Sequence, residues 1–300
     1  PRDEVPQRRA HTWRHPVERV RQAVRDAIFD YLAPDATDAQ QQRLAGVVAA
    51  LVTGDQRAIE RSEWDLFRTT GVSHLMSISG LHITLFAWLA AAAVGAAWRR
   101  SQRLCLAWPA PSAALVGGLL LAGLYALFSG WGVPAQRTVA MLATVVLLRL
   151  SGRRWPWPQV WLLACAVVAL ADPWALLQPG FWLSFVAVAA LFASNLIAAG
   201  AYSTGVKGHF VAMLRQQAVV TLALTPLGLL FFGQVSLVGM VANLLAIPWV
   251  TLVVTPLALA GVLWAPLWQA ALWAVQGLVA VLQWLAAWPA ASPRARLWWT

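Results

Sequence analysis

Acidic residues all but vanish after position 70. Residues 71 to 300 hold one, Asp172, against eleven Lys or Arg, and between Gln216 and Pro293 no residue is charged. A water-facing surface needs charge of both signs, so an ordinary soluble domain is excluded. Only two cysteines are present, Cys105 in a basic loop and Cys165 in an apolar run. They make no disulfide framework and say little about redox compartment. The phosphate-binding pattern G-x-x-x-x-G-K is missing, so no motor of that kind is carried here. The first residues show neither the charged start nor the apolar core of a signal peptide, and the expectation is a section of a longer protein.

Apolar side chains take up what charge leaves. Sixty per cent of the 300 residues are hydrophobic and the mean hydropathy is +0.63. The reading is an all-α, polytopic membrane bundle. Its spans are expected at 75–98, 110–128, 133–150, 156–171, 180–199, 210–232 and 266–290, each near the ~20 residues that a bilayer core demands. Residues 235 to 264 form one further uncharged stretch, which as a straight helix would reach about 45 Å against a core of ~30 Å. Gly239, Asn243, Pro248 and Pro256 could break it into half-helices or a re-entrant hairpin, giving about eight spans.

Residues 1 to 70 read differently, with eleven Arg balanced by eleven Asp or Glu. Amphipathic helices are predicted at 16–33, 38–53 and 56–70, the second ending at Gly54. This segment is expected to lie outside the membrane or in its interface, with 71–300 as the transmembrane domain. Arg99, Arg100 and Arg103, then Arg149, Arg153 and Arg154, then Lys207, occupy alternate loops. By the positive-inside bias those loops face the cytoplasm. The same excess of positive charge would also attract a polyanion such as DNA. Ten of the nineteen Trp residues sit at span ends, as an interfacial belt would, although nucleic-acid bases also stack on such rings.

The polar groups inside the spans mark the candidate site. His74, Ser77, Ser79, Gly80 and His82 stand at the mouth of the first span. Gln136, Arg137, Ser184, Arg215, Gln217 and Asn243 follow on later ones. His74 and His82 share one side of a helical wheel, but no carboxylate or Cys lies beside them to complete a metal shell. Ser79 with a nearby His also fits an intramembrane serine protease, while Ser-Gly is equally a packing motif between helices. Arg137 is expected either to face a pathway or to be tied to carbonyls or Asp172. For Arg215 the expectation is snorkelling to the interface. A strand of DNA can pass only where binding is weak enough to release, which suits a route with few fixed cations among uncharged polar groups.

His74-Leu75-x-x-Ile78-Ser79-Gly80-Leu81-His82-Ile83 resembles the hallmark signature of the ComEC competence proteins, membrane channels through which transformable bacteria import single-stranded DNA. Later blocks agree in order. Pro134, Arg137 and Met141 resemble P-x-x-R-A-x-x-M, with Thr138 where Ala is usual. Asp172-Pro173 and Pro179-Gly180-Phe181-Trp182-Leu183-Ser184-Phe185 resemble the D-P and P-G-F-x-L-S-F blocks, and Pro226, Phe231, Asn243 and Pro248 fit the last region. The resemblance implies a multi-pass channel in the bacterial cytoplasmic (inner) membrane, without catalysis or cofactor in this part. Its implied partners are single-stranded DNA, the lipid bilayer, an external DNA receptor and a cytoplasmic DNA-translocating motor. The competing functions are an intramembrane serine protease and a small-molecule secondary transporter, for which no internal repeat is visible.

Overall fold

The computed structural model describes residues 16–35, 38–198, 206–232 and 237–288. Among them there are helices and turns but no strand. Three helices come first, α1 (Pro16–Leu32), α2 (Ala39–Thr53) and α3 (Arg61–Thr69). After a 3-10 turn at Ser73–Leu75 follow α4 (Gly80–Arg99), the short α5 (Gln102–Ala107), α6 (Ala110–Phe128), α7 (Val133–Leu150) and α8 (Trp157–Ala171). The chain continues through α9 (Pro179–Ala198), α10 (Val206–Phe232), α11 (Leu237–Trp249), α12 (Thr255–Ala260) and α13 (Pro266–Ala286). Among the described residues six segments are long and apolar enough to cross a membrane, while α8 and the stretch Pro179–Ser194 of α9 are apolar but shorter. Residues 289 and 290 of the last expected span, and Arg294 and Arg296 beyond it, lie outside the described residues.

The interruption expected between 235 and 264 takes another form. α11 and α12 are joined by a π turn over Val250–Val254, in which the Thr255 amide donates to the Val250 carbonyl, five residues back. Every residue about the junction keeps helical dihedrals, Trp249 at φ −64°, ψ −51° and Thr255 at −64°, −46°. The chain therefore runs on as one rod, not as two half-helices or a hairpin. Pro256 lacks the N–H that an α-helix would give to residue 252, and the wider turn absorbs that mismatch.

Three apolar cores hold the elements. The largest joins α1, α2 and α3 to α11, α12 and α13, with Leu51, Phe67, Ala246, Val254 and Leu282 among its members. Helices on the two sides of position 70 thus share one core. From Leu44 to Thr53 every residue of α2 is buried, so this helix is enclosed on all sides, not laid on a surface by one stripe. α1 behaves as expected only in its second half, where Ile28 and Leu32 are buried; Val17 and Val20 remain exposed. α2 begins at Asp38, whose Oδ1 accepts the amides of Gln40 and Gln41, and ends as expected at Gly54 with φ +77°.

The second core unites α4, α6 and α7 through Ile83, Tyr125 and Ala135. α4 and α6 lie against each other through small residues. A Cβ at Gly118 would stand 2.7 Å from the Ala87 carbonyl oxygen, and one at Gly117 would stand 2.8 Å from Val94. Between membrane helices such close approach replaces the exclusion of water as the source of association. The third core gathers α8 and α9 about Phe181 and Phe185. Phe128 and Leu259 touch both the first and second cores and so tie them together.

Candidate functional site

α4 starts where Ser79, with extended dihedrals, and His82 cap each other. The His82 Nδ1 accepts the Ser79 amide at 3.3 Å, taking the role usually filled by Glu or Gln. That bond leaves the proton of the neutral imidazole on Nε2, which is buried and has no partner; the residue is 2% exposed. The Ser79 hydroxyl lies 3.4 Å from the same Nδ1. Since that nitrogen is already engaged by the backbone, it is not a free base for a nucleophilic Ser79. Helix initiation accounts for the pair. His209, a second histidine that a serine protease could use as its base, has a side chain outside the described residues.

Gly80 is a contact point. A Cβ there would stand 2.5 Å from the Thr138 Oγ1 on α7, whose hydroxyl donates to the Pro134 carbonyl at 2.9 Å. Ser77 donates to the His74 carbonyl at 3.1 Å, and the His74 side chain is exposed. Asn243 on α11 reaches back to this segment, with its Nδ2 3.5 Å from the Gly71 carbonyl. Gly71, at φ +71°, also lets its turn approach the Gly239 Cα. The structure thus joins Asn243 to the approach of the histidine and serine segment.

A second group forms around Arg137, which is 8% exposed. Its guanidinium lies on the face of Gly180, where a Cβ would be 2.9 Å from Nη2. Asp172 is within electrostatic reach of the Arg137 charge, while its own Oδ1 accepts the Trp174 amide at 3.1 Å. Arg137, Asp172 and Gly180 are therefore one constellation at the meeting of α7, α8 and α9. Gln136 points away from it, exposed, donating to the Trp131 carbonyl at 2.8 Å. Ser184 and Arg215 are half-buried, Gln217 lies 3.5 Å from the Thr221 hydroxyl, and Pro248 sits inside α11. These residues do not gather into one pocket with His82. Among the described residues no three His, Cys, Asp or Glu side chains come together as metal ligands.

Several buried polar atoms lack a hydrogen-bond partner. They include the His82 Nε2, Arg137 Nε and Nη1, Asn243 Oδ1, and the hydroxyls of Thr251 and Thr255. Thr251 lies within the π turn and Thr255 directly follows it, and α4 packs against the turn. A helical threonine normally returns its hydroxyl to the carbonyl four residues back, as Thr144 does at 2.9 Å. Neither threonine was singled out by sequence, because Thr is common in apolar helices. Their spacing of four, between Pro248 and Pro256, is the signal that was available.

A polar cavity of about 540 Å³ opens elsewhere, between α2, α3 and α13, lined by Gln40, Arg43, Glu63, Gln276 and Gln283. Gln276 stands at the middle of α13, and Gln283 shares its face seven residues on. Glu63 is 8% exposed and its Oε2 has no partner. Burial raises its carboxyl above the usual carboxylate range, nearby Arg43 pulls the other way, and Glu60 adds to the rise. A folded-state value raised in this way means that folding favours the protonated form. Stability should therefore increase as pH falls through that raised value toward the ordinary Glu value of 4.5, and level off below it. Thermal unfolding in detergent across that interval should show the slope, and Glu63→Gln should flatten it and stabilise the chain at neutral pH. An unchanged slope in the variant would assign it to another group.

Comparison with known proteins adds an independent line. The family model described as "Competence protein" matches residues 51–300. Competence protein ComA of Neisseria gonorrhoeae is 40% identical over 249 residues, covering 80% of this chain and 34% of that protein. The uncharacterized protein YcaI of Escherichia coli is 37% identical over 232 residues, 77% of this chain and 30% of its own length. Recombination protein 2 of Haemophilus influenzae is 29% identical over 228 residues, 72% of this chain and 28% of its own. The chain thus spans about a third of these curated relatives, and no solved structure matches it. With the match covering all of the chain after residue 50 and the motif residues folded against one another, this polypeptide belongs to the competence protein family.

Proposed function

We propose that this chain forms the membrane channel through which single-stranded DNA enters during natural transformation, in the bacterial inner membrane with its basic loops toward the cytoplasm. The carrying observation is the set of buried, unpartnered polar atoms on α4, α7, α11 and the π turn. A polar group held away from both water and a partner costs about 1–3 kcal/mol in a protein interior, and more in hydrocarbon. A bundle that keeps six such atoms on adjoining spans gains something from them in another state. A hydrated route for a nucleotide chain supplies that gain. The route would need few cations, and among the described residues of these spans Arg137 is the buried one, in company with histidine, amide and hydroxyl groups. Membership of the competence family supports the same reading.

In the whole protein an external receptor would deliver the strand and a cytoplasmic motor would draw it in. The test exchanges Thr251 and Thr255 for Val, which keeps shape and removes only the hydroxyls. A purely structural role predicts unchanged or raised stability, since an unpartnered buried hydroxyl is lost. A role in the route predicts at least a tenfold fall in cytoplasmic uptake of labelled DNA, with surface binding and membrane level unchanged. Normal uptake in the double variant would defeat the proposal.

A further inference from the structure

An apolar opening lies outside the histidine segment. α7, α8 and α9 leave between them a cavity of about 260 Å³ beside the turn from α7 to α8. Its walls are aliphatic and aromatic, including Met141, Val145, Val160 and Trp161, and its rim carries Arg149 and Arg153. The Trp157 and Phe192 rings stack across α8 and α9 at 5.7 Å between centroids. Trp155 at the rim is exposed, its indole 3.3 Å from the Ser151 hydroxyl. Among the described residues neither rim arginine has an acidic partner, because the one acid after residue 70, Asp172, lies past the far end of α8. With 15 residues α8 measures about 22 Å, well short of a bilayer core of ~30 Å.

We propose that this groove holds an anionic phospholipid, one acyl chain lying along the aliphatic wall and the phosphate set between Arg149 and Arg153. Three features select that occupant. An apolar slot open at the side of membrane helices is filled by chains from the bilayer, since no water is there to fill it. Two guanidinium groups at its rim call for an acceptor of negative charge, which phosphate oxygens meet in bidentate fashion. Aromatic rings at the same level mark the headgroup zone. A nucleic acid strand does not suit the slot, whose wall offers aliphatic surface in place of polar contacts. Lipid in this position would also cover the apolar side of α8 and α9, which the third core joins around Phe181 and Phe185.

Native mass spectrometry of the purified full chain, given phosphatidylglycerol or phosphatidylcholine with identical acyl chains, tests the assignment. Two arginines beside one charged headgroup are expected to favour retention of phosphatidylglycerol by about tenfold or more. Arg149→Gln with Arg153→Gln should bring the two lipids to equal retention while the melting curve stays in place. Val160→Trp, which fills the slot, should lower retention of both. Equal retention by the unmodified chain, or an undiminished preference in the arginine variant, would overturn the proposal. So would displacement of the lipid by excess inorganic phosphate, or a dimer that Val160→Trp splits, since a second copy would then be what covers the groove.

Discussion

Gly54→Ala is expected to unfold the chain or nearly so. The residue sits at φ +77°, and a Cβ there would fall 2.1 Å from the Ser129 carbonyl oxygen. That oxygen belongs to the backbone of the turn between α6 and α7 and cannot swing aside. Left-handed strain and overpacking together predict a loss on the order of 3–5 kcal/mol, a large share of the stability of most domains. The measurement is the unfolding midpoint of purified protein, with the amount in the membrane as a check. Gly54→Asn separates the two causes, because Asn tolerates the dihedral but carries the same Cβ. If Asn at this position is nearly as stable as Gly, the overlap with Ser129 is not real and the argument fails.

Gly80→Ala is expected to cost about 1–3 kcal/mol by forcing a methyl group against the Thr138 hydroxyl, and to lower DNA uptake by displacing the start of α4. Thr138→Ala removes the atom that the methyl would strike, leaving the next at 3.7 Å from the added Cβ. The double variant should therefore regain most of what the single one loses, in stability and in uptake. A double-mutant cycle on the unfolding midpoint measures the coupling. Two losses that simply add would show that Gly80 is needed for something other than room beside Thr138. Thr138 is thus itself the expected reason that Gly80 accepts no larger side chain.

The bilayer requirement made most of the architecture legible. Apolar runs bounded by Gly71, Arg99, Ser129 and Arg149 could only be spans, and their ends fall within a few residues of the helices observed. α2 was misjudged because periodicity weighs only one face. Its Ala45, Gly46, Ala49 and Ala50 read as neutral filler, yet a Cβ at Gly46 would stand 2.1 Å from the Ala58 carbonyl oxygen, and small size is what lets the neighbours close in. The break at Pro248 and Pro256 was expected from their chemistry, but the choice between a severed helix and a widened turn depends on what surrounds it. In the site, the bond of His82 to Ser79 follows the capping pattern, three residues apart. The meeting of Arg137 with Gly180 does not, since 43 positions separate them and only the contact of α7 with α9 unites them.

The largest core imposes an order on synthesis. The helices between Pro16 and Thr69 complete their shared core only when the last rod and α13 have been added. Until the ribosome has delivered residue 282 or so, the core around Leu51 and Phe67 stays half-built. A nascent chain that ends before α11 therefore carries an apolar face on these helices still uncovered.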